Sequence, residues 1–387
     1  MLDELKPAST EAHGGIRRLL LRIGLNRGVL VLWVYLGLLL VPAVRPGQPR
    51  PFPDNLFLDG WFRWDSGWYA NIIQHGYRLV ANEEGQRNTA FFPLYPLLSR
   101  AVAWLVGNPY LAAFIVSNAA LLIACLLLFR MTTRRYGAGV GLTTVSLLLS
   151  YPYSYYLTSM HTESLFLLGA VGAFYFADRR HWLLASLFAA GASATRVAGV
   201  LVGLGLLVSY LEQAEYRFER IRADIAALIL CPMGLIAHMS FLWLRFGDPF
   251  EFAAAQRAPG WAGGFTADKQ GPAWAAARAA EQAAPHDVLG MLAMPLQICL
   301  ALLAAWLLVT ARRLPASYRI WALATLALSA ASPGSLGRFV LVIFPVFIAA
   351  AQRLSVAPRA RGAILAVGSA LIAFLAYRQA HGFWTAG

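Results

Sequence analysis

Acidic side chains are scarce in this sequence, so the few that stand beside aromatic or basic groups carry most of the chemical information. The segment LDGWFRWDSGWYANIIQHGYRLV (58–80) holds Asp59 and Asp65 among Trp61, Trp64, Trp68, Tyr69 and Tyr77. A carboxylate beside stacking aromatic rings is how a site grips a sugar while a base takes a hydroxyl proton. The same residues also suit an interfacial aromatic belt, with Asp65 as the N-cap of a helix through 66–75. Both readings stand together, because a cap holds a carboxylate rigidly.

A second carboxylate, Glu163 in MHTES (160–164), falls at the edge of an apolar run next to His161. A charge there is costly unless paired or hydrated, which makes Glu163 a candidate for substrate or metal. A helix start, with Thr162 or Ser164 capping and Glu163 at the positive helix end, is the structural alternative. Arg196 in SATRVAG and Arg338 in SPGSLGRF are each a lone arginine between two short apolar runs. Each calls for an anion, and a lipid-linked phosphate would receive charge-assisted bidentate hydrogen bonds. For Arg196, Glu163 is the other partner available. RFGDPFEFAAAQRAPGW (245–261) adds Asp248, Glu251, Gln256 and Trp261 around a G-D-P turn signal, mostly as structural groups. No Walker A, GxGxxG, HExxH or GxSxG pattern occurs, so nucleotide-binding, zinc-hydrolase and serine-hydrolase chemistry are unsupported. Cys125, Cys231 and Cys299 each lie inside an apolar run, without metal or disulfide spacing.

The elements that must position these groups are membrane helices. Of 387 residues, 59% are hydrophobic and only 13% charged, which no ordinary soluble globule shows. The net charge of +13 is almost all arginine, Lys6 and Lys269 being the only lysines, and its placement follows membrane topology and not nucleic acid. Apolar runs at 28–44, 111–129, 138–156, 162–177, 182–194, 197–211, 224–244, 288–310, 319–331, 339–352 and 363–380 predict about eleven crossings in an all-α polytopic bundle, one domain over 1–387. The first is read as an uncleaved helix. Arginine clusters precede the first run (Arg17, Arg18, Arg22, Arg27) and then fill alternate loops, which places 1–27 and the clusters in the cytoplasm. The long segments 45–110 and 245–287 are then external. The stretch 91–107, with two prolines and Arg100, reads as a juxtamembrane or re-entrant helix, since a full crossing there would invert every later cluster. The short runs flanking Arg196 and Arg338 imply turns sunk in a cavity below the outer surface. No internal repeat of the transporter kind is present.

WDSGWY (64–69), GY (76–77), FFPLYP (91–96), HTES (161–164), TRVAG (195–199), FGDPFEFAAAQ…W (246–261) and GRFVLVIFP (337–345) together resemble one family, in order over about residues 60–350. They look like the phosphatidylinositol-glycan class V (PIG-V) mannosyltransferases, or GPI mannosyltransferase 2, and especially their bacterial relatives. The resemblance implies a GT-C type glycosyltransferase in a bacterial plasma membrane, or in the endoplasmic reticulum if eukaryotic. It implies a long first external loop carrying the catalytic carboxylate, Asp65, and a polyprenyl-phosphate sugar, by similarity mannose, as donor. The acceptor would be a hydroxyl of a glycan or glycolipid. Arg196, Arg338 and His161 become the candidates for the donor phosphate, and Glu163, Trp64, Trp68, Tyr69, Tyr95 and Gln256 those for substrate or a metal. The implied reaction inverts the anomeric carbon, with Asp65 taking or orienting the acceptor proton; a retaining route would use a second carboxylate. No cofactor is required, although Asp65 and Glu163 could share Mg²⁺ or Mn²⁺. A transporter or flippase of a lipid-linked anionic glycan would also want a basic cavity, but has little use for the tryptophan-rich loop around Asp65. An inactive scaffold of the same fold is a third reading.

Overall fold

A computed structural model describes residues 8–41, 51–82, 85–258 and 292–383, and among them there is no strand. Most of the segment 245–287, expected to be external, lies outside the described residues, Trp261 included. The chain opens with α1 (Ala8–Leu40), then two short helices of the first loop, α2 (Leu56–Asp59) and α3 (Ser66–His75). After α4 (Leu94–Val106) comes α5 (Pro109–Tyr136). The start of α5 is specified locally: Asn108 accepts from the N–H groups of Tyr110 and Leu111, and Pro109 occupies the first turn, where its missing N–H costs nothing. Then follow α6 (Ala138–Leu149), α7 (Glu163–Ala177), α8 (Trp182–Ser193), α9 (Val200–Gln213), α10 (Met233–Phe246) and α11 (Glu251–Ala255). The described part closes with α12 (Ala293–Thr310), α13 (Ala316–Ser329), α14 (Leu336–Val342), α15 (Phe344–Leu354) and α16 (Pro358–Ala380).

α7 is the axis of the bundle. It is apolar and buried nearly all round, against α5, α8, α9 and α14, as a helix with no polar face must be. Its two ends differ in chemistry. Glu163 begins it, while just past its other end Asp178 meets Arg135 and the Tyr318 hydroxyl. Fifteen residues of helix put these ends about 22 Å apart. Other members of the basic loops gather at the Asp178 end or near it, since Tyr136 donates to the Arg313 carbonyl and Arg353 to Thr310. The alternation of arginine clusters along the chain is thus a sorting of loops to one end of the bundle.

Helix lengths depart from the expected eleven full crossings. Among the described residues four helices (α1 from Gly14, α5, α12 and α16) are long and apolar enough to span a membrane, or six spans if each of two bent pairs counts as one. The run 224–244 is a 3-10 segment, Ala223–Leu230, followed by α10 at 42°, with Pro232 at the break. The run 339–352 is split into α14 and α15 with a 72° bend, where Pro345 lacks the N–H and its ring clashes with the carbonyl a turn earlier. The run 138–156 holds only the twelve residues of α6. Pro152 follows, and residues 150–162 form a buried, tyrosine-rich turn inside the bundle.

That turn explains Arg27, which does not join the other arginines near the N-terminus. Arg27 is buried and donates to the Leu149 carbonyl (2.5 Å), the Ser154 carbonyl (2.9 Å) and the Thr158 hydroxyl (3.3 Å). Backbone carbonyls left over by the end of α6 satisfy the guanidinium, so no acid is needed. Arg27 lies thirteen residues before the Leu40 end of α1, which sinks the 150–162 turn about 20 Å into the bundle at 1.5 Å per residue.

Candidate active site

The first loop delivers Asp65 through a backbone that is strained beside it. Trp64 has φ 55°, the left-handed region, at a cost of about 1–3 kcal/mol for a bulky residue. Two contacts hold it there: the Trp64 indole N–H donates to Gln379 Oε1 (3.2 Å), and the neighbouring Arg63 donates to the Ala380 carbonyl (2.6 Å). The C-terminal end of α16 therefore buttresses the residue before the carboxylate, and the Arg63 cation meets that helix's negative end. Asp65 stands immediately before α3, as expected, but its side chain makes no cap hydrogen bond. It is turned toward Arg338 instead, whose Nη1 donates to Asp65 Oδ2 at 2.9 Å.

Arg338 in turn donates from Nε to Glu163 Oε1 at 2.7 Å, and Arg196 donates from Nη2 to the same oxygen at 2.5 Å. Four charged side chains from the first loop, the start of α7, the turn after α8 and α14 thus form one chain: Asp65, Arg338, Glu163, Arg196. Two glycines make this convergence possible. A Cβ on Gly199 would lie 2.2 Å from the Ala192 carbonyl group, and one on Gly337 would lie 2.6 Å from the Tyr153 ring, so TRVAG and GRF need glycine for close packing. Gln297 of α12 accepts from the Gly337 N–H (2.9 Å) and fixes the approach of α14.

Residues that sequence reasoning passed over complete the site. The Tyr156 ring lies under the Arg338 guanidinium, 4.5 Å from its centroid, a cation–π contact that keeps the charge where both carboxylates meet it. Thr162, expected as a helix cap, makes no cap hydrogen bond; its Oγ1 accepts from Arg196 Nε (2.9 Å) and from the Tyr69 hydroxyl (3.5 Å). Burial, and after it the negative charge of Asp65, push the Tyr69 phenol upward, so it serves as a neutral donor. The signal for Thr162 was its place in HTES, but nothing in the spacing marked Tyr156 among four neighbouring tyrosines.

His161, expected among the phosphate-binding groups, lies in the site as a neutral imidazole. Burial, then the positive charge of Arg338, push its imidazole down to about 4. Its Nδ1 is 2.9 Å from the Ser159 hydroxyl and 3.4 Å from that of Ser66, and its ring meets Tyr156 edge to face. The buried atoms that have no hydrogen-bond partner among the described residues include His161 Nε2 and Glu163 Oε2, both in the site. Orphans of this kind mark a place where water or a ligand belongs.

The remaining candidates are placed as follows. Trp68 stacks on Phe91 (6.0 Å, 18°), at the other end of α3's first turn from the strained Trp64. Tyr95 is fully buried, and its hydroxyl is engaged by the Ala113 carbonyl (2.9 Å) and Ser117, so it braces α4 against α5 and packs on Tyr69. Gln256 is exposed and donates to the Ala90 carbonyl (3.2 Å). Beside it Glu251 accepts from Thr89 (3.0 Å) and pairs with Arg87 (2.9 Å), which clamps α11 to the 3-10 turn Asn88–Ala90. FGDPFEFAAAQ thus joins the segment after α10 to the first long loop instead of meeting Asp65. For a cation shared by Asp65 and Glu163, the Arg338 guanidinium stands between the two carboxylates. Among the described residues no three His, Cys, Asp or Glu side chains gather as a metal site. A cavity of about 210 Å³ at the far end of α7 is no rival centre. Its acids, Asp178 and Glu212, are taken by Arg135 and Tyr318 and by the first N–H groups of α13.

Chemically, the arrangement offers a carboxylate with one free oxygen. Asp65 is 21% exposed, and its Oδ1 has no partner among the described residues. Beside it lie two guanidinium groups whose Nη1 (Arg196) and Nη2 (Arg338) make no hydrogen bond among those residues. A base and an anion cradle share one recess.

No protein-family model matches the sequence, and no curated protein matches it. Among solved structures the chain is similar to ArnT from Cupriavidus metallidurans bound to undecaprenyl phosphate, at 15% identity and a TM-score of 0.55, over 90% of this chain and 62% of that one. The apo form of the same protein matches at 16% identity and a TM-score of 0.52, over 89% and 61%. The chain therefore spans about three fifths of the length of the structures it matches. The likeness is one of fold: an all-α polytopic membrane protein of the GT-C type.

Proposed function

We propose that this protein is a membrane glycosyltransferase that moves a sugar from a polyprenyl-phosphate donor to an acceptor hydroxyl. The observation that carries the reading is the Asp65–Arg338–Glu163–Arg196 chain, in which a carboxylate oxygen and two guanidinium edges stay open in one recess. Support comes from the GT-C fold and from undecaprenyl phosphate as the ligand of the similar ArnT structure. The motifs quoted above favour mannose as the sugar and the PIG-V group as the family. The sorting of basic loops to the opposite end of α7 favours an extracytoplasmic site. Glycan or glycolipid is the proposed acceptor class.

In the reaction, Asp65 Oδ1 accepts the proton of the acceptor hydroxyl as that oxygen attacks the anomeric carbon from the face opposite the phosphate. The new C–O glycosidic bond forms while the bond from the anomeric carbon to the phosphate oxygen breaks, and the electron pair leaves with the lipid phosphate. Arg338 holds Asp65 by its other oxygen and, with Arg196, faces the charge that grows on the leaving phosphate. Donors fixed before the reaction stabilise such charge without reorganisation. A single attack inverts the anomeric centre. We do not assign Glu163 as a nucleophile, because it is fully buried and held by two arginines, whereas Asp65 is 21% exposed. We assign the charge stabilisation to arginine and not to Mg²⁺ or Mn²⁺, so EDTA leaves transfer unchanged.

The test is transfer of label from radiolabelled polyprenyl-phosphate mannose to host membrane glycans by purified protein in lipid. Product formed by the native protein and lost in Asp65→Asn supports the reading. Equal turnover in both removes Asp65 from its role.

A further inference from the structure

We propose that Glu163 is the resident counter-anion of the donor-phosphate site: it holds Arg196 and Arg338 in place of the phosphate, and its charge drives out the phosphate that transfer leaves behind. The inference rests on the lipid-phosphate reading above and adds a role for a carboxylate that the transfer step does not use.

The geometry is that of a place-holder. A carboxylate that serves only as a structural partner fills both oxygens, and a fork-to-fork pair with arginine does so with two parallel bonds. Glu163 does otherwise. Its Oε1 receives both guanidinium groups, at 2.5 and 2.7 Å, while its Oε2, equally buried, receives nothing among the described residues. The arginines lean on one oxygen and keep other N–H groups open, anchored by contacts that do not depend on Glu163: Thr162 Oγ1 for Arg196, Asp65 and the Tyr156 ring for Arg338. They can therefore turn toward a phosphate without losing their positions.

Charge then decides what stays. Asp65, Glu163, Arg196 and Arg338 sum to zero, so the recess is neutral before donor binds. The donor is a phosphodiester with one negative charge, and the recess tolerates it weakly. The product is a phosphate monoester, which carries about −1.5 to −2 at neutral pH. The acceptor proton held by Asp65 offsets that second charge only until it passes to water; with Asp65 ionised again no cation is left to meet the dianion, and repulsion there is poorly screened. Product is therefore bound less well than donor and leaves. Remove the charge of Glu163 and the recess is positive when empty, so the dianionic product gains most.

The experiment is a titration of full-length protein in nanodiscs with undecaprenyl phosphate, comparing the native chain with Glu163→Gln. The expected result is an affinity for undecaprenyl phosphate about tenfold higher in the variant, within the usual range of coupling between two ligands of one site. Product inhibition of transfer should sharpen by the same factor, with both KM for donor and kcat lowered. A purely structural Glu163 gives the opposite: weaker binding and a raised KM, which would overturn the inference. Should Glu163→Gln yield no folded protein, Glu163→Asp takes its place. That variant withdraws the charge by one methylene, so it must tighten binding in the same direction by a smaller factor, and unchanged or weaker binding overturns the inference. Failure of both proteins to bind undecaprenyl phosphate removes the lipid-phosphate reading itself, whereas binding by the native chain that the variant does not tighten overturns only the role of Glu163.

Discussion

Two aspartate–arginine assemblies lie six residues apart in the first loop, around Asp59 and around Asp65, and they are built to different ends. Asp59 is closed. Arg63 donates to both of its carboxylate oxygens (3.2 and 2.9 Å) and to its carbonyl (2.6 Å), the Phe52 N–H adds a further bond (3.3 Å), and the guanidinium also donates to the carbonyls of Phe62 and Ala380. Asp65 is open: one oxygen meets Arg338, the other meets nothing among the described residues, and the network behind it ends in an orphaned Glu163 Oε2. Burial alone does not explain the difference: Asp65 is 21% exposed where Asp59 is buried, yet Glu163 behind it is as buried as Asp59 and still keeps an open oxygen. Saturation does. A polar group whose every atom is satisfied specifies structure, while one left unsatisfied at a cost awaits a ligand.

The largest effect that would break this contrast is on Asp65. Asp65→Asn should lower transfer about 10²–10⁴-fold, the usual share of a general base, with little change in the midpoint of thermal unfolding. If stability falls and residual turnover per folded molecule does not, the contrast is wrong. Asp59→Asn should behave in reverse. It leaves Arg63 buried with half its pairing gone, a loss of about 3–5 kcal/mol, seen as easier unfolding in SDS titration and low yield, while the folded fraction keeps its kcat.

Smaller changes sharpen the picture. Arg196→Lys keeps the charge but cannot reach both Thr162 and Glu163; the lost charge-assisted bond is worth about 1.5–3 kcal/mol, and kcat/KM should fall ten- to hundredfold. The His161 imidazole is held at about 4 in the fold against its ordinary 6.5. The unfolded chain therefore takes up a proton first as pH drops. The stability this group contributes is full above about 6.5 and is lost as pH falls from there toward 4. Unfolding midpoints measured across that window should decline, and His161→Asn should flatten the decline. Least affected should be Gln256→Ala, which removes one part-buried hydrogen bond to Ala90; transfer should stay within about twofold, as surface changes of about 0.5 kcal/mol do.

Much of the site was readable because its residue types are rare in an apolar chain. A lone arginine between short apolar runs has to meet an anion, and Arg196 and Arg338 both do. The α3 helix over 66–75 followed from its neighbours in sequence. Less was readable where a residue's role depends on distant partners. Arg27 sat among cytoplasmic arginines by position, yet it satisfies carbonyls more than a hundred residues away. Tyr95 and Gln256 belong to the motifs of the site, yet their polar atoms are spent on Ala113 and Ala90. Apolar runs marked depth in the membrane but not helix continuity, because Pro152, Pro232 and Pro345 break runs that hydropathy joins.

By itself the sequence determined that the chain is built of membrane helices, that several basic loops gather at one end of the bundle, and the few groups able to do chemistry. These are properties of local composition, and transfer energies of individual side chains decide them. Which of those groups remain open was decided only by the tertiary structure. Asp59 and Asp65 differ little in local sequence, and Arg338 reaches the second from 273 residues away. Whether a carboxylate is closed or poised depends on how many donors the packed helices bring within about 3 Å of it, and no local pattern counts them.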